Sequence, residues 1–213
     1  MSNNNSENKK KILNIAQNLF YERGFHETSF AEIAKECNVT KALISYHFKS
    51  KLHLGGAVFG NYSREMANTY FKKVYEQFPL SKNEAIFNAY ALLCIDFYKE
   101  EKNAFRFYEQ FFSNSIIDTV VGVEDFYRFS GYSLPNDIRH MLYIGSNYAA
   151  RALIYHYVTG DIKCDREIFE KYYLFNPFYF LSPEQGKLDE LYNEAKFIYN
   201  EVTVEFLPNF KLK

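Results

Sequence analysis

Apolar residues recur along this chain at intervals of three and four positions, and no long stretch alternates with a period of two. Such spacing places apolar side chains on one face of an α-helix, so the predicted fold class is all-α. A first amphipathic helix ends at Gly24, a residue typical of helix C-termini. Later helices are predicted at about 51–77, 83–112, 135–159, 165–175 and 184–203. The pattern at 113–133 indicates one or two short helices with loops. No secondary structure is assigned to the tail after Val202.

Two short helices are predicted directly after the first one. Ser29 followed by Glu32 forms a capping-box pattern, in which side chains satisfy the free amides at a helix start. That helix breaks at Asn38, because asparagine tolerates the left-handed backbone of a turn better than other non-glycine residues. Thr40 then caps a second short helix that extends from Lys41 to about His47. The segment from Ser29 to Phe48 therefore has the organisation of a helix-turn-helix.

Side chains within this segment divide into an inner and an outer set. The small residue Ala34 permits the two helices to cross closely. The apolar residues spaced to fill the core between the helices are Ile33, Val39, Ile44 and Phe48. The outward residues of the second helix are Lys41, Ala42, Leu43, Ser45, Tyr46 and His47. This mixture of donors and small apolar groups suits the major groove of DNA.

Charge is distributed unevenly. The net charge is −1, yet no Asp or Glu occurs between Glu36 and Glu65, an interval that contains Lys41, Lys49 and Lys51. Such a stretch suits a phosphate backbone, although a solvated surface is the alternative. The chain has no apolar run of about 18 residues and begins without an apolar signal segment. We therefore expect a soluble, cytoplasmic protein without membrane association.

Catalytic and metal-binding motifs are not found in the sequence. The three Cys are widely spaced without a C-x-x-C, and the five His are scattered. There is no G-x-S-x-G, H-E-x-x-H or P-loop pattern. We therefore expect no enzymatic activity, metal site or cofactor.

The stretch from Gly24 to Lys51 resembles the DNA-binding region of the TetR family of bacterial transcriptional regulators. The matching features are Gly24-Phe25, Thr28, Ile33-Ala34, Val39-Thr40-Lys41 and the run from Tyr46 to Lys51. The match covers roughly residues 8–60. Asn38 stands where the family usually has glycine, and Leu43 and Ser45 stand where Thr and Tyr are frequent. These departures put the base specificity in doubt.

The resemblance implies a set of DNA-contacting residues. They are Thr28, Ser29, Thr40, Lys41, Ala42, Leu43, Ser45, Tyr46, His47, Lys49 and Lys51. Thr28 and Ser29 lie at a helix N-terminus, which favours a phosphate. Tyr46 and Lys49 are assigned to phosphates, and Lys41, Ala42, Leu43 and Ser45 to the bases. His47 has the alternative of a partly buried ring, and Tyr46 that of packing alone.

The predicted domains are a disordered N-terminus at 1–7, a helix-turn-helix domain at 8–53 and a helical effector-binding and dimerisation domain at 54–213. The family resemblance implies that two C-terminal helices form the interface of a homodimer. The candidate interface residues are Gly145, Tyr148, Ala149, Ala152, Leu188, Leu191, Ala195, Ile198 and Val202. The alternative is that both stripes face the core of their own subunit.

A small-molecule effector pocket among the middle helices is likewise implied by the resemblance. The candidate lining residues are Phe97, Arg106, Phe107, Phe111, Arg128, His140, Asn147 and His156. Aromatic stripes of this kind also occur in ordinary cores.

The functional hypothesis is a homodimeric repressor that binds a palindromic operator in double-stranded DNA. An apolar or aromatic effector of unknown identity would release it. The alternatives are an activator, a non-transcriptional DNA-binding protein, or a helical interaction module without effector control.

Overall fold

The computed structural model describes residues 2–113, 135–176 and 185–213, and over these ranges the all-α prediction is confirmed. The helices are α1 Ser2–Arg23, α2 Phe30–Cys37, α3 Lys41–Phe48, α4 Lys51–Gln77, α5 Asn83–Glu100, α6 Lys102–Phe112, α7 Asn136–Val158, α8 Arg166–Phe175 and α9 Gln185–Glu201. A two-stranded hairpin follows, formed by β1 Phe206–Leu207 and β2 Lys211–Leu212. No described helix is long and apolar enough to cross a bilayer.

Two features differ from the sequence-based expectations, and a third had no assignment. Helix α1 already begins at Ser2, although residues 1–7 were expected to be disordered. This segment contains no Pro or Gly, so nothing in it opposes continuation of the helix from the packed turns that follow. The helix expected at 83–112 is interrupted at Glu101, whose carboxylate accepts a hydrogen bond of 2.6 Å from the Tyr21 hydroxyl. The unassigned tail forms the hairpin.

The chain divides into two compact units. The first comprises residues 1–66, 101–119 and 206–211, and the second comprises 67–100, 120–205 and 212–213. The boundary predicted between residues 53 and 54 therefore differs from the observed one. The helix-turn-helix belongs to a unit that also includes α6 and most of the C-terminal hairpin.

An aromatic core holds the first unit together, and this core explains why distant segments belong to it. Phe107 of α6 stacks on Phe20 of α1 with 5.4 Å between ring centroids. Phe111 lies edge-on to Phe25 at 5.6 Å and stacks on Phe59 of α4 at 6.2 Å. Aromatic side chains bury large apolar areas, so α6 is as much a part of this core as α1.

Two polar side chains of α6 complete the end of α1. Arg106 Nη2 donates to the carbonyl oxygens of Tyr21 at 3.1 Å and Glu22 at 2.7 Å, which lie in the last turn of α1. Gln110 Oε1 accepts from the backbone amide of His26 at 3.1 Å. Gly24, with φ +94°, lies so close to the Gln110 side chain that a Cβ at its position would be 2.6 Å from Gln110 Oε1. The turn after α1 therefore depends on α6.

In the second unit, α9 packs along α5. The buried apolar cluster of this unit consists of Leu92, Ile95, Leu142, Phe169, Leu174, Phe175, Leu188 and Tyr192.

A closed ion network lies beside this cluster. Glu170 of α8 is fully buried, and its carboxylate accepts from Arg166 Nε at 2.6 Å, Lys196 Nζ at 2.7 Å and the Tyr192 hydroxyl at 2.8 Å. Asp96 of α5 receives Arg166 Nη1 at 2.8 Å. Burial opposes the charge of Glu170, yet Arg166 and Lys196 hold the pKa of its carboxyl below the ordinary value. The network connects α5, α8 and α9.

Candidate DNA-binding site

The start of α2 and the turn to α3 have the predicted geometry. Ser29 and Glu32 form the capping box, with the Ser29 amide donating to Glu32 Oε2 at 2.8 Å. Asn38 is left-handed, with φ 52° and ψ 49°. The amide of the next residue, Val39, donates to the carbonyl oxygen of Ala34 at 2.9 Å. These local hydrogen bonds determine the direction in which the chain enters α3.

Helix α3 has a buried face and an exposed face. Thr40 caps it, because its Oγ1 accepts from the Leu43 amide at 3.2 Å. Ile44 and Phe48 point into the core, with 0% and 5% of their surface exposed. The exposed residues that the structure brings together at this helix are Thr40, Lys41, Ala42, Ser45, Tyr46 and Lys49. Tyr46 is 71% exposed, so it lacks the burial that the packing alternative required.

Lys49 forms the tight turn that joins α3 to α4. Its φ is 54° and its ψ is −48°, a combination that non-glycine residues rarely adopt. The Ser50 amide donates across this turn to the Phe48 carbonyl at 2.5 Å. Ser50 in turn caps α4, since its Oγ accepts from the His53 amide at 3.2 Å. The strained turn leaves the Lys49 side chain exposed just beyond the C-terminus of α3.

Of the predicted DNA contacts, Thr28 requires correction, and Ser29 and Lys51 also make contacts within the protein. Thr28 is 1% exposed and its hydroxyl donates to the Gly24 carbonyl at 2.9 Å, so it is a structural residue. The amide and hydroxyl of Ser29 both donate to Glu32, whose negative charge would oppose a phosphate there. Lys51 Nζ donates to the His26 carbonyl at 3.1 Å and lies 4.6 Å from the centroid of the Phe25 ring. Burial lowers the pKa of Lys51. A DNA contact from the exposed Ser29 or the half-buried Lys51 stays a prediction.

Two further residues of α3 are only half-exposed. The His47 ring lies edge-on to Tyr46 at 5.2 Å, and its Nε2 is buried without a hydrogen-bond partner among the described residues. This position agrees with the alternative of a partly buried ring. Leu43 is also half-buried. A DNA contact from either residue stays a prediction.

The two predicted dimerisation stripes have opposite orientations. The stripe formed by α9 and the residue after it faces the subunit core, because Leu191 packs against the buried cluster and the others are at most 6% exposed, namely Leu188, Ala195, Ile198 and Val202. The prediction for α9 is therefore wrong, because α5 covers that face. On α7, Gly145, Tyr148 and Ala152 are exposed and Ala149 is half-buried.

The candidate pocket residues do not form one cluster. Arg106, Phe107 and Phe111 belong to the first unit, where they pack against or cap α1, so their assignment to a pocket is corrected. Phe97 is fully buried in the second unit, Asn147 is 5% exposed and His140 is exposed. His156 Nδ1 lies 2.9 Å from Asp161 Oδ2 at the surface. Arg128 lies outside the described residues.

Sequence reasoning missed two buried polar groups in the second unit. The hydroxyl of Tyr70 and the Nδ2 of Asn88 are buried and have no hydrogen-bond partner among the described residues. Tyr70 is fully buried and Asn88 is 5% exposed. Burial raises the pKa of Tyr70. The only signal in the sequence was a polar residue at an otherwise apolar helical spacing, which is a weak one.

A capped helix-turn-helix behind one amphipathic helix defines a class of DNA-binding domain, and comparison with known proteins identifies the family. The model of the tetR family of bacterial regulatory proteins matches residues 12–58. The transcriptional regulator QacR of Staphylococcus aureus is 31% identical over 123 residues, which cover 56% of this chain and 64% of that protein. The regulator AcrR of Shigella flexneri is 44% identical over 48 residues, 22% of each chain. Residues 12–58 therefore match the DNA-binding region of the TetR family.

Over most of its length, this chain is similar to solved structures in fold. The crystal structure of RolR in complex with resorcinol superposes with a TM-score of 0.63 and 12% identity, covering 90% of this chain and 96% of that one. Among the curated relatives, the matched segments span between 16% and 64% of each protein's length. The matched segments therefore span less than two thirds of the length of each of these relatives.

Proposed function

We propose that this protein is a DNA-binding transcriptional regulator, a homodimeric repressor that a small apolar or aromatic effector releases from its operator. The observation that carries the proposal is the exposed face of α3. It presents Lys41, Ser45, Tyr46 and Lys49 on a helix whose opposite face is anchored by Ile44 and Phe48. A helix so anchored can enter the major groove while Lys49 and Tyr46 contact phosphates.

Dimerisation is supported by the exposed face of α7. Met141 is 61% exposed, Tyr148 is 43% exposed and Ile144 is 37% exposed, while Gly145 has no atom within 4 Å of a Cβ built on it. Apolar groups exposed together at helical spacing are typical of a protein interface. Two helix-turn-helix segments about 34 Å apart would then bind a palindrome and add their binding energies.

Effector binding is supported by the unpaired groups of Tyr70 and Asn88. A buried polar atom without a partner is costly, and a ligand with a hydrogen-bond acceptor would satisfy it. Aromatic rings lie close to Tyr70, with the centroid of Tyr90 at 5.9 Å. The charges of Glu170 and Asp96 are already neutralised by Arg166 and Lys196, which favours an uncharged ligand. RolR, whose structure contains resorcinol, is similar in fold.

The DNA-binding proposal is tested by titrating the purified protein with a fluorescent duplex from the promoter region next to its gene. Lys49→Ala should weaken binding and reduce the slope of log K against log salt by about 0.9 for each phosphate that the variant no longer neutralises. Lys72→Ala, at an exposed lysine of α4 in the second unit, is the matched control. Absent or salt-insensitive DNA binding by the wild type would favour the interaction-module alternative.

The effector proposal is tested by a thermal-shift screen of neutral aromatic compounds that begins with resorcinol. A compound that stabilises the wild type should lower its DNA affinity, and Asn88→Leu should abolish the thermal shift. Higher expression from a reporter on addition of the compound would support repression, whereas lower expression would indicate an activator. A stabilising compound that leaves DNA affinity unchanged would contradict effector control.

A further inference from the structure

The C-terminal hairpin has an unusual tip. The residues that flank its two strands, Glu205 and Lys213, exchange backbone hydrogen bonds at 2.9 and 3.0 Å. Three residues, Pro208, Asn209 and Phe210, form the connection between β1 and β2. Asn209 has φ 64° and Phe210 has φ 59°, so two successive residues adopt the left-handed conformation.

A bulky residue in this conformation is a genuine outlier, which persists only where surrounding contacts impose it. For Phe210 those contacts are in the core of the first unit. Its ring is 0% exposed and stacks on Tyr62 of α4, with 4.2 Å between centroids and an interplanar angle of 11°. It lies edge-on to Tyr21 of α1 at 5.0 Å and to Phe107 of α6 at 5.5 Å. One C-terminal side chain therefore touches all three of these helices.

Polar contacts attach the neighbouring residue to the same place. The Asn209 carbonyl accepts from Gln17 Nε2 at 3.2 Å, and Asn209 Nδ2 donates to Asn18 Oδ1. Gln17, itself only 4% exposed, also accepts from Asn61 Nδ2 of α4 at 3.2 Å. The hairpin tip thus joins a hydrogen-bond chain that continues through Gln17 of α1 to Asn61 of α4.

We propose that residues 206–212 form a C-terminal clasp that holds α1, α4 and α6 in the arrangement in which α3 can bind DNA. Four residues lie between the end of α9 and the clasp. DNA affinity then depends on Phe210 being seated, although Phe210 contacts no DNA. This inference rests on the proposed DNA binding.

The test uses the full-length protein with Phe210→Ala, Phe210→Leu and the matched control Lys211→Ala, which changes an exposed side chain of the same hairpin. Amide hydrogen exchange of residues 12–21 and 104–111 reports on the first unit without DNA. We expect at least tenfold faster exchange there in Phe210→Ala, a smaller increase in Phe210→Leu and none in the control.

DNA titration is the second readout. If the clasp determines what fraction of the protein can bind DNA, the apparent Kd equals the intrinsic Kd divided by that fraction. Loss of the clasp lowers the fraction, so we expect at least a tenfold increase in the apparent Kd of Phe210→Ala. The salt slope should stay that of the wild type, because the phosphate contacts are unchanged in the bound state. This unchanged slope separates the clasp from a phosphate-contacting residue such as Lys49.

Each outcome decides the proposal. Unchanged exchange in Phe210→Ala overturns it, and so does faster exchange with unchanged DNA affinity. If Phe210→Ala unfolds throughout, Phe210→Leu decides, with a graded loss of affinity supporting the clasp and an unchanged affinity overturning it. If the wild type itself binds no DNA, the proposed function fails, and the role of the clasp in DNA binding fails with it. The hydrogen-exchange result then still shows whether the hairpin orders the first unit.

Discussion

Helices α7 and α9 carry apolar stripes of similar spacing, yet one stripe is exposed and the other is buried. On α9 the stripe lies against α5, and Ala195 and Ile198 are at most 1% exposed. On α7 the polar residues Ser146 and Asn147 are buried, while Met141 is 61% exposed and Tyr148 is 43% exposed. Periodicity therefore identifies an apolar face without identifying what covers it.

The polar anchors of α9 explain part of the difference. Tyr192 and Lys196 bind the buried carboxylate of Glu170, and Tyr199 binds Asp96 together with Arg166. These contacts orient α9 towards α5 and α8. Over the residues that the structure describes, the exposed side of α7 has no comparable covering, and the proposed dimer contact rests on this exposed side.

Disrupting the buried stripe of α9 should have the largest effect. Ile198→Glu places a carboxylate without a partner in the core of the second unit, so we expect a loss of roughly 3–5 kcal/mol in the free energy of unfolding. Urea denaturation followed by circular dichroism measures it. Asn200→Glu, at an exposed position of the same helix, should change little. A small effect of Ile198→Glu would mean that α9 is not packed as described.

Removing the anchor of α9 should have the next largest effect. Glu170→Gln leaves Arg166 and Lys196 without one of their buried counter-charges, at a cost of about 3 kcal/mol near neutral pH. Because the pKa of Glu170 is lowered in the folded state, its stabilisation is present above the unfolded value of about 4.3 and is lost as the pH falls below it. The difference in unfolding free energy between wild type and variant should therefore shrink in acid. A difference that grows in acid would contradict this role.

A charge on the exposed face of α7 should separate the subunits of a dimer without unfolding them. Tyr148→Glu adds a carboxylate to the centre of the α7 face, and desolvation of that charge would weaken a dimer formed there by at least tenfold. Sedimentation velocity should show monomers, while the urea midpoint of the isolated subunit stays the same. Tyr75→Glu, at another half-exposed tyrosine, serves as the control. A stable Tyr148→Glu dimer would place the interface elsewhere.

The smallest expected effect concerns Gly145. Its Cβ position is open, so Gly145→Ala should stabilise α7 in the monomer by up to about 1 kcal/mol through helix propensity alone. If a second α7 approaches closely at this point, the added methyl group should weaken the dimer at the same time. Thermal unfolding and sedimentation equilibrium together give both values. Stabilisation without any loss of dimer affinity would show that Gly145 lies outside the contact.

The sequence by itself determined the features that depend on neighbouring residues. The capping box of Ser29 and Glu32, the left-handed Asn38 and the cap at Thr40 involve groups within about four residues of each other, so their geometry follows from local chemistry. The bounds of α4 at Lys51–Gln77 were predicted for the same reason. These local features were sufficient to indicate the family.

Only the tertiary structure decided which groups remain available for function. Thr28 and Lys51 match the family pattern, yet their polar atoms bind carbonyl groups that the fold brings close. Phe210 packs against Tyr62 and Phe107, which both lie more than 100 residues earlier in the chain. Helical periodicity specifies that a side chain will be buried, but the partner that buries it is chosen by contacts between distant segments, which no local pattern contains.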